Sequence, residues 1–375
     1  MSAFEFRAPG KLFVAGEYGV VRAGNPAVLI AVDRAVTARV SPVRRAFGVR
    51  VASEQWGEER DYAPVIAEAP ASEQPREPIF RALDVFVEYY GPLPALDIHV
   101  SSTLDDSDGR KYGFGSSGAV VVATIGATAR ALNIALSPRE LFKLSALAVL
   151  DGNVRASCAD VATSVLGGWV LYRSFDREAV RDLRAREGVK SALAAQWPGL
   201  ALESLDVPHA LKTVIGWSGA PASTRSLVAQ VDDAAGAGRI DFEAFARENA
   251  AHVERFVEAV RTGSTIDAMR VLECVLAQLR DLDAAAGGSE GPLGIETPEL
   301  RAMTEIAVAH GAAAKLSGAG GGDCVLALAP NADVATAVRQ AWRRAGMIAL
   351  NVGVEPSDLH ARTHVTTEKQ GSAHE

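Results

Sequence analysis

The stretch Gly113-Phe114-Gly115-Ser116-Ser117-Gly118 runs without a break into Ala119–Leu132, a segment of helical length rich in small residues. A loop of small residues that opens a helix presents several backbone N–H groups at the positive end of the helix dipole, and so makes an anion cradle. The hydroxyls of Ser116 and Ser117 add hydrogen bonds for a phosphate, or one bond for a metal ion bound to it. The same residues also suit a plain helix cap, where serine is common and needs no ligand. The loop is not a Walker loop, because no Gly-Lys-Ser/Thr closes it, and the strand-linked GxGxxG of dinucleotide folds is absent.

Two further segments share this character. Ala8-Pro9-Gly10-Lys11 lies near the start of the chain, and Lys315-Leu316-Ser317-Gly318-Ala319-Gly320-Gly321-Gly322-Asp323 lies near the end. A second glycine-rich loop in the other half can bend round the same phosphates. Taken alone it is equally well a tight turn between helix and strand. Three such segments in one chain point to a phosphate site.

Around them, the apolar spacing predicts strands at 4–7 and 11–15 with a turn at 8–10, then a strand over 28–40. Phe80, Leu83, Phe86 and Val87 predict a helix over 79–90. Residues 53–78, punctuated by Pro64, Pro70, Pro75 and Pro78, read as a surface excursion. A strand over 96–100, a helix over 138–150 and a strand over 169–172 follow. Residues 174–206, rich in Arg, Asp, Glu and Ala, predict a surface helix bridging two lobes. Beyond them come a strand at 211–217, long helical periodicity over 242–282, and a helix at 298–310. A strand at 324–328, a helix at 333–345 and a strand at 347–354 complete the pattern, with Cys274 read as core.

Length and composition narrow the function classes. The 375 residues fit about two domains of ~100–200 residues each. Apolar residues at 48% allow a large core and exclude wholesale disorder. The net charge of −8 argues against a general nucleic-acid coat, whereas a few lysines can still make one positive pocket for a small anion. Cys158, Cys274 and Cys324 form no CxxC pair, and the seven histidines show no ligand spacing, so neither a zinc cluster nor a disulfide framework is expected. The first residues show no signal-peptide pattern and no run of about 20 apolar residues occurs, so a cytoplasmic protein with no membrane partner is expected.

The three segments resemble the motifs of the GHMP family of small-molecule kinases. They read Pro9-Gly10-Lys11-Leu12-Phe13-Val14-Ala15-Gly16-Glu17-Tyr18, Lys111-Tyr112 through Ala119, and Lys315 through Cys324, and the likeness runs from residue 8 to about 330. Within the family, Lys111–Ser117, Gly167-Gly168-Trp169 and Gly216–Thr224 are most similar to the phosphomevalonate kinase branch. Mevalonate kinases normally carry Glu-His where this chain has Glu17-Tyr18. The resemblance implies an α+β, two-lobed fold, with an N-terminal ribosomal-protein-like α/β lobe and a C-terminal ferredoxin-like lobe flanking the active site. Domains are then expected at 1–180 and 181–360, with a polar tail at 361–375.

It also implies ATP- and Mg²⁺-dependent phosphorylation of (R)-5-phosphomevalonate to the 5-diphosphate, on the mevalonate route to isoprenoids, by a monomer or homodimer. Mevalonate kinase or another GHMP kinase is the alternative. A non-catalytic ligand-binding regulator of the same fold is the second class, which loss of Lys11, Asp160 or the serine pair would favour; none is lost.

The family pattern places Gly113, Gly115, Ser116, Ser117, Gly118 and Ala119 at ATP, and Tyr18, Ser157, Ser223, Thr224, Ser317, Gly318, Ala319 and Gly320 at the substrate. It places Asp160 at the active site, within Ser157-Cys158-Ala159-Asp160. Two positions depart from the pattern, since Gly is usual at Cys158 and Leu at Phe114. Cys158 makes the turn before Asp160 less permissive, because its Cβ resists positive φ.

Phosphoryl transfer is mostly positioning and charge neutralisation. A phosphate acceptor with a second pKa near ~6 is largely dianionic at neutral pH, so the difficulty is bringing two anions together, and a strong base is unnecessary. Lys11 and Lys111 are expected on opposite sides of the transferred group, each a compact charge with three donors. Asp160 can orient Lys11, accept a proton or hold Mg²⁺ through water; a turn cap is its plain alternative. Ser117 is the hydroxyl expected nearest Mg²⁺, which otherwise keeps waters and phosphate oxygens. Ser223 and Thr224 lie on a small-residue loop that is equally a simple turn.

Overall fold

A long antiparallel pair, β1 (Phe4–Ala15) and β2 (Pro26–Pro42), organises the N-terminal half of the computed structural model, which describes residues 3–44, 48–64, 76–105, 109–220 and 224–356. With β3 (Val49–Ser53), β4 (Arg60–Tyr62), β5 (Leu96–Ser102), β6 (Trp169–Arg173) and β7 (Ala201–Ser204) they form a seven-stranded sheet. Its order is β4-β3-β5-β2-β6-β7, with β1 on β2 off that path. The helices of this half are α1 (Pro78–Tyr90), α2 (Ser116–Ala131), α3 (Pro138–Gly152), α4 (Ala159–Leu166) and α5 (Arg177–Ala194). α2 lies against β1 and β2, with α1, α3 and α4 around it. Its small residues explain that place: a Cβ on Gly126 would overlap the Phe6 ring, so helix and sheet approach more closely than larger residues allow. Val121, Val122 and Ile125 are fully buried there, each worth roughly 1.5–3 kcal/mol.

The second sheet is antiparallel and four-stranded, in the order β11 (Ile348–Ala349), β8 (Lys212–Trp217), β10 (Cys324–Ala329) and β9 (Ala313–Ser317). Its helices are α6 (Thr224–Gly236), α7 (Phe242–Arg261), α8 (Thr265–Gly287), α9 (Pro298–Ala309) and α10 (Ala332–Arg344). α9 and α10 pack on this sheet, while the α7–α8 pair touches both β1 and, through α8, β9. No helix among the described residues is long and apolar enough to cross a membrane.

Several local expectations are corrected. Residues 8–10 make no turn: β1 is continuous, and the register shift between Pro9 and Lys11 marks a bulge at Gly10. The helix after the glycine-serine loop starts at Ser116, so both serines sit in its first turn. The periodicity over 242–282 belongs to two helices, because Gly263 at φ 79° ends one and Ser264 caps the next through the Asp267 N–H. Residues 174–206 pack mainly within the first half, with the Glu203–Arg261 ion pair reaching α7. α5, kinked at Gly188, packs on α1 and α3, and β7 extends the first sheet beside β6. Of the strand expected at 347–354, 348–349 forms the ladder with β8 and the Leu350 N–H adds a bond to Ile215, while Val354 bridges back to Val32. Cys274 is exposed on α8. The expected surface excursion is described only in part, and the polar tail lies outside the described residues.

Candidate active site

Lys11 follows the Gly10 bulge. Gly10 has no room for a side chain, since a Cβ would come within 2.7 Å of Leu104 and 2.9 Å of Phe114. The Lys11 N–H donates to the Phe114 carbonyl at 2.8 Å, and its ammonium donates to the Gly113 carbonyl at 3.2 Å. The first motif is thus fastened to the second by backbone and side chain together.

The second motif supplies space and donors. Gly115, at φ 74°, stands in the N-cap position of α2, and a Cβ there would crowd Lys11 Cε at 3.0 Å and Asp160 Cβ at 3.2 Å. Its missing side chain lets Lys11 and Asp160 share the helix end. The N-cap residue Gly115 has no side chain to cap α2, Asp160 takes only the Gly118 backbone of this helix, and the first-turn N–H groups of a helix have no intrahelical acceptor. The Ser116 and Ser117 amides, with the helix dipole behind them, therefore make an anion site. Ser117 is exposed, as a group serving a bound ligand must be.

Asp160 lies in the first turn of α4, where its carboxylate accepts the Val161 N–H at 2.9 Å and a bond from the Gly118 backbone. Burial pushes its carboxyl above the ordinary carboxylate range, against the pull of Lys11 and these backbone donors. Gly118 is a glycine for the same carboxylate, which a Cβ would approach to 2.5 Å. Cys158, fully buried at φ 59° and ψ 17°, occupies the left-handed N-cap of α4. The chain therefore holds a strained conformation here with a Cβ present, and burial pushes the thiol far up. Ser157 accepts the Ala159 N–H at 3.4 Å, and its carbonyl takes the Tyr172 hydroxyl at 2.6 Å.

The third loop crosses from the other sheet. Ser317 Oγ accepts the Phe13 N–H at 2.8 Å and donates to the Phe13 carbonyl at 3.0 Å, completing the edge of β1. Tyr18, itself at φ 58°, donates its hydroxyl to the Ala319 carbonyl at 2.6 Å. Burial, then Asp283 and Glu17, push that phenol far above its usual range. Among the described residues the N–H groups of Ala319 and Gly320 have no hydrogen-bond partner, and Gly318 reaches only Glu17 at 3.5 Å. Asp323 meets Gly113, where any Cβ would overlap its carboxylate.

Lys11, Asp160, the α2 N-terminus and the third loop thus come together in one region. Lys111 does not join them through any contact: it is exposed, and its backbone bridges to Asp105. Ser223 lies outside the described residues, and Thr224 opens α6. Sequence reasoning assigned no role to Glu17, Lys315 and Asp283. Glu17 and Lys315 form a buried ion pair joining β1's end to β9, and burial pushes the ammonium down while Glu17 pushes it back. Their place inside two motifs was the available signal. Asp283 has none, since Asp281 beside it looks the same in sequence.

Residues 77–168 match the GHMP kinases N terminal domain, and residues 271–347 match the GHMP kinases C terminal family. A phosphomevalonate kinase of Streptomyces sp. (strain CL190) is 39% identical over 361 residues, 92% of this chain and 95% of that protein. The chain belongs to the GHMP kinase family. This GHMP kinase is also 30% identical to a mevalonate kinase of Pyrococcus horikoshii over 268 residues, 69% of this chain and 67% of that one. The structure of Streptococcus pneumoniae phosphomevalonate kinase in complex with phosphomevalonate and AMPPNP aligns at a TM-score of 0.80 and 25% identity, covering 94% of this chain and 100% of that chain. The two-lobed α+β architecture expected from the motifs is the one this GHMP kinase has.

Proposed function

We propose that this GHMP kinase transfers the γ-phosphoryl group of ATP to (R)-5-phosphomevalonate, giving the 5-diphosphate and ADP. The observation that carries the reading is the near-full-length similarity to a phosphomevalonate kinase, higher than that to a mevalonate kinase. A phosphate oxygen of the acceptor forms a bond to the γ-phosphorus as the bond to the β–γ bridging oxygen breaks, and ADP leaves with that electron pair. The α2 N-terminus, with Ser116 and Ser117, holds nucleotide phosphates; Lys11 offsets the charge gathered between donor and acceptor. Asp160 faces Lys11 and orients it, and the acceptor is already anionic, so no proton need pass to the carboxylate. Lys111, exposed and without a contact to Lys11 or Asp160 among the described residues, is left out of the transfer.

The donors present fit magnesium. Ser117 offers one uncapped hydroxyl, and among the described residues no cluster of three His, Cys, Asp or Glu could hold a metal alone. Such a site suits an ion that takes most of its oxygens from phosphates and water and adds charge neutralisation there. The reading puts the reaction in the cytoplasm and works in a monomer or homodimer alike. A coupled ADP-release assay across phosphomevalonate, mevalonate, homoserine and galactose tests it. Preference for phosphomevalonate is expected; preference for mevalonate would replace the substrate, and no turnover with any acceptor would favour a regulator.

A further inference from the structure

The third glycine loop rests on a seat outside all three motifs. Gly321 donates its N–H to the Ile295 carbonyl at 2.9 Å, and Gly320, at φ 79°, lies so close to that carbonyl that any Cβ would overlap it. Ile295 is itself fully buried, and its position is set by one side chain. Asp283, on α8 and 4% exposed, accepts the N–H groups of Gly294 at 2.7 Å, Ile295 at 3.0 Å and Glu296 at 3.0 Å, while its carbonyl takes the Leu293 N–H at 3.0 Å. A carboxylate set in three consecutive backbone donors fixes that turn more tightly than neutral partners would. The flank is gripped as well, since Arg280 binds the Glu296 carboxylate at 2.7 and 2.8 Å and Arg301 binds it at 3.1 Å. On its other side the loop is held to the first motif, where Tyr18 donates to the Ala319 carbonyl and Phe13 is bonded through its backbone to the Ser317 hydroxyl.

We propose that Asp283 is a positioning residue for phosphoryl transfer: through the 294–296 backbone it seats the third glycine loop, keeping the Ala319 and Gly320 N–H groups available to the acceptor's phosphate. The inference rests on the reading that this loop binds the phosphoryl acceptor. Loss of the seat lets the loop shift, and a displacement of ~1 Å at a substrate-positioning element can cost up to ~10²-fold.

The test is steady-state kinetics of the full chain in a graded series. Asp283→Asn keeps one oxygen for the Gly294 and Ile295 donors but turns an amide toward the Glu296 N–H; Asp283→Ala removes every acceptor. The acceptor KM is expected to rise from wild type through Asn to Ala, by about tenfold to a hundredfold at the end of the series, with the ATP KM within about twofold. Gly320→Ala, which pushes the loop off the same carbonyl, should give the same pattern and serves where Asp283→Ala does not fold. A series that lowers only the melting temperature and leaves both KM values unchanged would overturn the proposal, leaving Asp283 a fold anchor. A rise confined to the ATP KM would overturn it too, by moving the loop to the nucleotide. Failure of the substrate reading is seen separately, in the wild type: if that enzyme prefers mevalonate, the series is read on the KM for mevalonate and judged by the same order.

Discussion

At the scale of single residues, two substitutions test the separate roles proposed for Lys11 and Asp160. Lys11→Met removes the charge held between the glycine loop and Asp160, and should lower kcat by roughly 10²–10³, in the range of a lost electrostatic stabiliser. An unchanged melting curve should accompany it; near-wild-type turnover would remove Lys11 from the mechanism. Asp160 carries a pH signature because burial raises its carboxyl. Were it an obligatory base, activity would fall as acid protonates it, over a range above the ordinary carboxylate pKa, and that limb would vanish in Asp160→Asn. With a phosphate acceptor, the rising limb belongs to the substrate's second ionisation near ~6 and should persist in the variant. Asp160→Asn is accordingly expected to retain measurable turnover. Complete inactivity with intact MgATP and substrate binding would restore the base. These residues were legible from their motifs, as was the awkward fit of Cys158, whose left-handed backbone bears out the expectation.

At the scale of elements, the starts of α2 and α3 both carry serine yet are different devices. Ser137 closes a capping box: its hydroxyl accepts the Glu140 N–H at 3.2 Å and the Glu140 carboxylate takes the Ser137 N–H at 2.8 Å. Ser137→Ala should therefore cost about 0.5–2 kcal/mol of stability and leave kinetics intact. Ser117 caps nothing, because the N-cap is Gly115, and the Ser116 and Ser117 amides are left open while Asp160 takes the Gly118 backbone. Ser117→Ala should keep the melting temperature and lose about tenfold in kcat/KM for MgATP, the scale of one hydrogen bond to a charged group. Matching losses of stability in both variants would make Ser117 a cap after all. The loop's small residues announced a helix start, but which amides stay unpaired depends on neighbours that only folding brings near. The same limit explains the α7–α8 break, where periodicity survived across Gly263 because both helices bury one face.

For the whole molecule, the decisive contact is the buried pair of Glu17 and Lys315, whose partners lie 298 residues apart. Both side chains are almost wholly shielded, and Glu17 Oε2 has no further partner among the described residues. Removing one charge leaves the other stranded, so Lys315→Met should destabilise by about 3–5 kcal/mol, while Glu17→Gln combined with it should recover part of that loss. A single variant as stable as wild type would show that the pair does not tie the halves together. The sequence by itself determined the α+β class, the family, and the three glycine-bearing segments of the candidate site, because each is a local run whose glycines and hydroxyls dictate backbone shape and donor placement. Tertiary structure alone decided that Asp160 shares the α2 end with Lys11, that Lys111 stands apart from them, and that Asp283 carries the third loop. The physical reason is that these roles are set by distance between side chains and backbone from separate elements, and one aspartate among many gains its function only from the amides the fold turns toward it.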